Sequence, residues 1–236
     1  ERHRRNSAGG HDRRITTLSH EEHKKVIERV VKAVGGQVPV IAGAGSNSTA
    51  EAIELTAFSK KVGADATLQV DPYYNKPAQE GFYQHFKAIA EEVDLPIVLY
   101  DIPGRCGAGM TPDTVVRLAD IENIVAIKDA TGKLDHVSEI ATRCDLTILS
   151  GDDSLTLPIA AVGGKGVVSV VANIVPADVK AMTDLILGGD FTSAFKWHKK
   201  LFALCRNLLS LATNPIPIKA AMAMLNMAPE EMRLPM

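Results

Sequence analysis

The sequence predicts an α/β fold built on a parallel sheet, and three observations carry that prediction. From residue 38 onward, short apolar stretches alternate with amphipathic stretches of helical period. The short stretches are continuously apolar rather than alternating, as expected of strands covered on both faces. Two of them stop abruptly at groups with chemistry, Tyr100 and Lys128. A TIM (β/α)8 barrel places its reacting residues at the C-terminal ends of its strands, so the pattern favours that architecture.

Taken in order, a helix is expected near 20–34, announced by Ser19 and by Glu22 three residues on, the pair that makes a capping box. The first readable strand is 38–42, followed by a helix near 49–62, a strand at 66–70 and a helix near 78–93. A strand at 96–100, a helix near 112–119 and a strand at 124–128 come next. Then follow a helix near 134–143, a strand at 146–150, a helix near 153–162 opened by Asp152 and Asp153, and a strand at 166–170. Beyond residue 170 only helical patterns appear, near 177–187, 190–212 and 216–226, punctuated by Gly188-Gly189 and by the Asn214-Pro215 turn. An open doubly wound sheet is the rival arrangement. It is disfavoured because Gly43-Ala-Gly45 lacks the third glycine of a dinucleotide-binding loop. The expectation is an N-terminally truncated barrel in which strands three to eight are readable. Residues 1–17 stand where strand two belongs, 18–175 form the barrel, and 176–236 are C-terminal helices packed on it or on a partner.

Length and composition exclude several classes. A chain of 236 residues with 46% hydrophobic residues can bury a sizeable core, and a net charge of −2 gives no global attraction to nucleic acid or anionic membrane. No apolar run approaches the roughly 20 residues of a membrane span. The start of the chain is polar and basic, without the apolar core of a secretion signal. Cys106, Cys144 and Cys205 are widely spaced and odd in number, which suits neither a metal site nor a disulfide framework. A reducing, cytoplasmic setting is expected, with no metal, no organic cofactor, no nucleic acid and no membrane; Cys106 is read as packing.

The candidate chemistry gathers at two strand ends. Lys128 ends the run Asn123-Ile-Val-Ala-Ile-Lys128, and Tyr100 ends Ile97-Val-Leu-Tyr100, with Arg105 five residues further. Most strand-end lysines are simply solvated. At the mouth of a buried strand, however, an amine loses hydration, which favours its neutral, nucleophilic form. A neighbouring phenol can shuttle protons, and a guanidinium fork can hold a carboxylate. Parallel strands put their ends on one face, so the three groups point together to Schiff-base chemistry on a small keto acid. Tyr73-Tyr74, beside Asn75 and Pro77, could equally be loop packing. Asp152-Asp153 reads as a helix cap rather than an acid/base pair.

With these residues in place, the chain closely resembles the dihydrodipicolinate synthase family of pyruvate-dependent class I aldolases over residues 18–236. The resemblance rests on an ordered set of segments. These are Ser19-His-Glu-Glu-His23, Pro39-Val-Ile-Ala-Gly43, Pro72-Tyr-Tyr-Asn-Lys-Pro77 and Gln79-Glu-Gly-Phe-Tyr-Gln-His-Phe86. Further on come Tyr100-Asp-Ile-Pro-Gly-Arg105, Ile127-Lys-Asp-Ala-Thr-Gly132, Ser150-Gly-Asp-Asp153, Gly166-Val-Val-Ser-Val170, Asn214-Pro-Ile-Pro-Ile-Lys219 and Arg233-Leu-Pro-Met236. The resemblance implies a TIM barrel that condenses pyruvate with aspartate 4-semialdehyde on the route to diaminopimelate and lysine. Lys128 would form the imine, Tyr100 would relay protons, and Tyr74 would complete the relay in the site of a neighbouring subunit. Arg105 would bind the carboxylate of the second substrate, while Gly151 and Val168 would line the pocket. A homotetramer of tight dimers is implied. So is a site for the feedback inhibitor lysine at His20, His23, Asn47, Glu51 and Tyr73, although on sequence alone His20 and His23 are merely neighbours on a polar helix face. The alternatives are another pyruvate aldolase, such as a sialic acid or keto-deoxy sugar-acid lyase, and a catalytically dead relative. Arg105 argues against the first, because sugar substrates do not need that guanidinium.

The chain departs from the family before Leu18. Residues 1–14 hold five arginines and no large apolar side chain, where the family has a strand ending in Gly-Thr-Thr-Gly-Glu. Suitable codons for residues 1–15, read one base out of frame, encode Gly-Ile-Val-Pro-Val-Gly-Thr-Thr-Gly-Glu intact, and a compensating change near Ile15 and Thr16 would restore the frame. A frame-shifted stretch is therefore expected in preference to a solvated basic tail. The two family threonines then fall at His11 and Asp12, which inherit neither role, and the chain as written is expected to be an impaired catalyst.

Overall fold

The computed structural model describes residues 17–236. Residues 1–16, and with them the frame-shift reading and the positions His11 and Asp12, lie outside the described residues. The described chain divides into two compact units, one running to Ile148 and the other from Leu149 to Met236.

In the first unit, α1 (His20–Val34) begins with the expected capping box. The Ser19 N–H donates to Glu22 Oε2 at 2.9 Å and the Glu22 N–H donates to Ser19 Oγ at 3.3 Å, satisfying donors that a helix start leaves open. Then follow β1 (Ile41–Gly43), α2 (Thr49–Val62), β2 (Ala66–Val70), α3 (Gln79–Glu92), β3 (Ile97–Asp101), α4 (Pro103–Cys106), α5 (Pro112–Ala119), β4 (Ile124–Asp129) and α6 (Leu134–Arg143). The four strands pair in parallel in chain order, and every residue of β2 and β3 is buried. Alternate residues separate the two faces. Leu68, Val70, Val98, Tyr100 and Ala126 form one apolar cluster, while Gln69 turns the other way and donates to Thr56 Oγ1 of α2 at 2.8 Å.

The first strand is shorter than the expected 38–42. Pro39 has no N–H to give a ladder, and the Val40 N–H is taken at 2.7 Å by the Asp65 carboxylate. Gly45 marks a close approach of backbone to backbone: a Cβ there would sit 2.3 Å from the Val70 nitrogen. This explains a glycine that makes no dinucleotide loop.

In the second unit, the last two residues of β5 (Thr147–Ser150) pair in parallel with β6 (Gly166–Val167), Leu149 opposite Gly166 and Ser150 opposite Val167. The strand expected over 166–170 stops early. The N–H groups of Val170 and Val171 donate instead to the Asp153 carboxylate, at 2.9 and 3.2 Å, and the chain coils into a 3₁₀ turn at Val171–Asn173. Asp153 thus caps this turn from across the unit, as well as opening its own short turn (Asp153–Leu155) before α7 (Thr156–Ala161). The remaining helices are α8 (Pro176–Leu187), α9 (Phe191–Ser210) and α10 (Ile216–Met224). Met182, Ile186, Ala194, Leu201, Cys205 and Leu208 are buried in a single cluster between them. Among the described residues, no helix is long and apolar enough to cross a membrane.

Candidate active site

The register of β3 and β4 sets Tyr100 directly opposite Lys128. Both project to the face that carries the apolar cluster. The Lys128 Nζ lies 3.6 Å from the centroid of the Tyr100 ring. Lys128 has no exposed surface and Tyr100 retains 3%. Burying an ammonium is costly, and the negative face of the ring offsets part of that cost. An enclosed amine is a better nucleophile than a hydrated one, and the phenol beside it is a route by which a proton can leave or return.

Arg105 sits on α4, a four-residue helix that sequence periodicity did not reveal because it spans barely one turn. Pro103 starts it and Gly107, at φ 79°, ends it. The helix is fixed from below by the Cys106 thiol, buried and donating to the Asp71 carbonyl at 3.3 Å, which is the packing role expected of that cysteine. Arg105 itself is exposed.

The two tyrosines of the next loop diverge. Tyr73 packs on the apolar cluster with Tyr100. Tyr74 is 90% exposed, with φ at 70°. Asn75 closes the turn by donating from Nδ2 to the Asn47 carbonyl at 2.8 Å. Loop packing therefore accounts for Tyr73 and not for Tyr74, which projects away from its own chain's core. In the second unit, Gly151 follows β5, and Val168 is buried just after β6 with its N–H donating to the Ser150 carbonyl at 2.9 Å. Among the described residues, no group of three or more His, Cys, Asp or Glu side chains could hold a metal ion.

With a buried lysine stacked on a tyrosine at adjacent parallel strand ends, comparison with known proteins is decisive. The model of the dihydrodipicolinate synthetase family matches residues 9–236. The chain belongs to that family. It is 54% identical over 223 residues to the 4-hydroxy-tetrahydrodipicolinate synthase of Syntrophobacter fumaroxidans, covering 93% of this chain and 76% of that protein. Among solved structures, the dihydrodipicolinate synthase of Aquifex aeolicus superposes with a TM-score of 0.92 at 50% identity, over 94% of this chain and 76% of that one. The chloride-inhibited dihydrodipicolinate synthase of Acinetobacter baumannii, complexed with pyruvate, gives a TM-score of 0.91 at 43% identity over 94% and 77%. The fold is accordingly α/β and TIM-barrel-like.

The five residues expected from the resemblance to form an inhibitor site, His20, His23, Asn47, Glu51 and Tyr73, all lie in the first unit. His20 Nδ1 lies 2.9 Å from Glu51 Oε1, whose other oxygen accepts from Ser46 Oγ at 2.5 Å. Asn47 donates from Nδ2 to the Tyr73 carbonyl at 3.2 Å. His23 is turned inward. Its Nε2 donates to the Gly43 carbonyl at 2.8 Å, tying α1 to β1, and burial lowers its pKa despite that bond.

One group escaped the sequence reading. The residues just after Val70, Tyr100 and Lys128 are all aspartates: Asp71, Asp101 and Asp129, each with no exposed surface. Their side chains lie on the face opposite the lysine and tyrosine. Burial first, and then the neighbouring charge of Asp101, push the Asp71 carboxyl well above its usual range. Burial likewise raises Asp101, to about 6, against the lowering influence of its contact with Asp71 and the charge of His136. The signal was available in the recurrence of Asp at one register across three strand ends.

Proposed function

We propose that this chain is a 4-hydroxy-tetrahydrodipicolinate synthase, a lyase of the class I aldolase type acting in diaminopimelate and lysine biosynthesis. The Lys128 amine attacks the ketone carbon of pyruvate, water leaves, and the resulting iminium makes the methyl group acidic. Loss of a methyl proton gives an enamine, whose carbon attacks the aldehyde of aspartate 4-semialdehyde. The amine of the second substrate then displaces Lys128 from the imine carbon, closing the ring and freeing the enzyme. Tyr100 moves protons in imine formation and aldol addition, Tyr74 completes the relay from a partner subunit, and Arg105 holds the semialdehyde carboxylate. The observation that carries this reading is the fully buried Lys128 against the face of Tyr100. The relatives favour it over a sugar-acid lyase.

The same reading includes a homotetramer of tight dimers in the cytoplasm and free lysine as inhibitor at His20, His23, Asn47, Glu51 and Tyr73. It also takes residues 18–175 as barrel strands three to eight and 176–236 as the C-terminal helices. The exposed Tyr74 supports the dimer, because a proton-relay residue left 90% exposed would serve no site of its own. Borohydride reduction in the presence of pyruvate is expected to fix one pyruvate-derived adduct on the peptide containing Lys128, and Lys128→Ala is expected to abolish it. Labelling of another lysine would overturn the assignment.

A further inference from the structure

The acidic row behind the lysine is built too carefully to be incidental packing. The four oxygens of Asp71 and Asp101 are buried and poorly satisfied, with backbone N–H groups of Ile102 and Met110 approaching them only in poor hydrogen-bond geometry, and the two carboxyls reach each other once one of them carries a proton. Two buried, adjacent carboxylates repel; one proton held between them satisfies both. The third, Asp129, is saturated: Oδ1 accepts from the Thr131 N–H at 3.1 Å and hydroxyl at 2.8 Å, and Oδ2 meets His136 Nδ1 at 2.8 Å. The other ring nitrogen of His136 lies 3.1 Å from the Met110 carbonyl and 3.8 Å from Asp101 Oδ2. Each nitrogen therefore faces an acceptor, and only the doubly protonated ring donates to both.

We propose that Asp71, Asp101, Asp129 and His136 form a positioning row for the imine-forming site: one proton is shared between Asp71 and Asp101, and His136 is an imidazolium bridging Asp129 to the loop at Met110. The row joins the ends of β2, β3 and β4 to α6 immediately behind Tyr100 and Lys128. It also anchors the loop after Arg105, where Gly109 is so close that a Cβ would meet Asp101 Oδ1 at 2.6 Å. The titratable groups facing the pair are Asp129 from β4 and His136 from α6; from α4, Cys106 donates to the Asp71 backbone. This role rests on the reading of Lys128 as the nucleophile.

The test compares Asp71→Asn, Asp71→Ala and His136→Gln with the parent chain, using two readouts. The first is melting temperature against pH, which needs no substrate. A carboxyl that holds its proton more tightly folded than unfolded stabilises the fold at low pH, and that stability is lost as pH rises from the ordinary carboxylate range through about 6. Asn donates to Asp101 permanently, so the Asn variant is expected to show a flatter slope. The second readout is the rate of pyruvate trapping on Lys128. The Asn variant should keep it within about threefold, whereas the Ala and His136→Gln variants should lose about tenfold while their KM for pyruvate is little changed. An unaltered slope in Asp71→Asn overturns the shared proton. Equal trapping losses in folded Asn and Ala variants, or none in His136→Gln, overturn the positioning role. A parent chain that traps no pyruvate overturns the imine reading instead, and the slope still decides the proton.

Discussion

Arg105 and Lys128 differ in a way that separates the tasks proposed for them: one is exposed, the other wholly enclosed. An exposed guanidinium binds a carboxylate against competition from water and salt, so its removal is expected at the low end for a charged hydrogen bond, on the order of tenfold. Arg105→Ala should therefore raise the KM for aspartate 4-semialdehyde by about that factor while leaving pyruvate trapping on Lys128 almost untouched. Equal damage to both steps would make the arginine structural. His85 gives a second prediction at this scale. It is packed edge-on to Phe86 with 6% exposure, and burial holds its pKa down to about 4 from 6.5. The unfolded chain binds a proton near pH 6.5 and the folded chain does not, so this stability is complete above pH 6.5 and is lost as pH falls toward 4. The loss over that window is on the order of 3 kcal/mol. The Asp71–Asp101 pair titrates with the opposite sign in an overlapping range. The measurement is therefore the difference in melting temperature between parent and His85→Gln, expected to shrink or invert as the buffer is acidified.

Among the elements, Gly45 gives the sharpest test. Because a Cβ would lie 2.3 Å from the Val70 backbone nitrogen, no rotamer change relieves Gly45→Ala, and β1 must move away from β2. A cost of about 1–3 kcal/mol, the range for overpacking, is expected in denaturant unfolding. A neutral substitution would show that the two strands are loosely held. The elements whose positions were legible in the sequence are those with a continuous apolar run or a long 3.6 period: β2 matches the expected 66–70, and α2, α5 and α6 lie where periodicity put them. What the sequence did not disclose depends on contacts between distant residues. The shortening of β1 required Asp65 to claim the Val40 N–H, and that of β6 required Asp153 to claim two others. α4 is too short to have a period. The same division runs through the site. Lys128 and Tyr100 were visible because a polar group ending an apolar run is conspicuous. Asp71, Asp101 and Asp129 were hidden because each looked like an ordinary polar residue beginning a loop, and only the register of three strands aligns them.

At the scale of the whole molecule, the question is what an exposed Tyr74 accomplishes. Its φ of 70° carries the conformational cost of a left-handed residue that is neither glycine nor asparagine, and the turn is pinned by Asn47 and Asn75. A tyrosine fixed in that way, with nine-tenths of its surface exposed, gains from being buried by a second chain. If each site takes Lys128 and Tyr100 from one chain and Tyr74 from its partner, the two defects Lys128→Ala and Tyr74→Phe must complement. Each homogeneous variant lacks a working site, since the first has no nucleophile and the second a broken relay, worth about 10²–10⁴-fold in rate. In a mixed dimer, one site combines the intact Lys128 of the Tyr74→Phe chain with the intact Tyr74 of the Lys128→Ala chain. Co-refolding the two variants in equal amounts fills half the dimers with mixed pairs if association is random, each with one complete site in two. The expected result is recovery of about a quarter of the parent activity. Activity no greater than the mean of the two separate variants would place Tyr74 outside the partner's site and leave its exposure without a catalytic purpose.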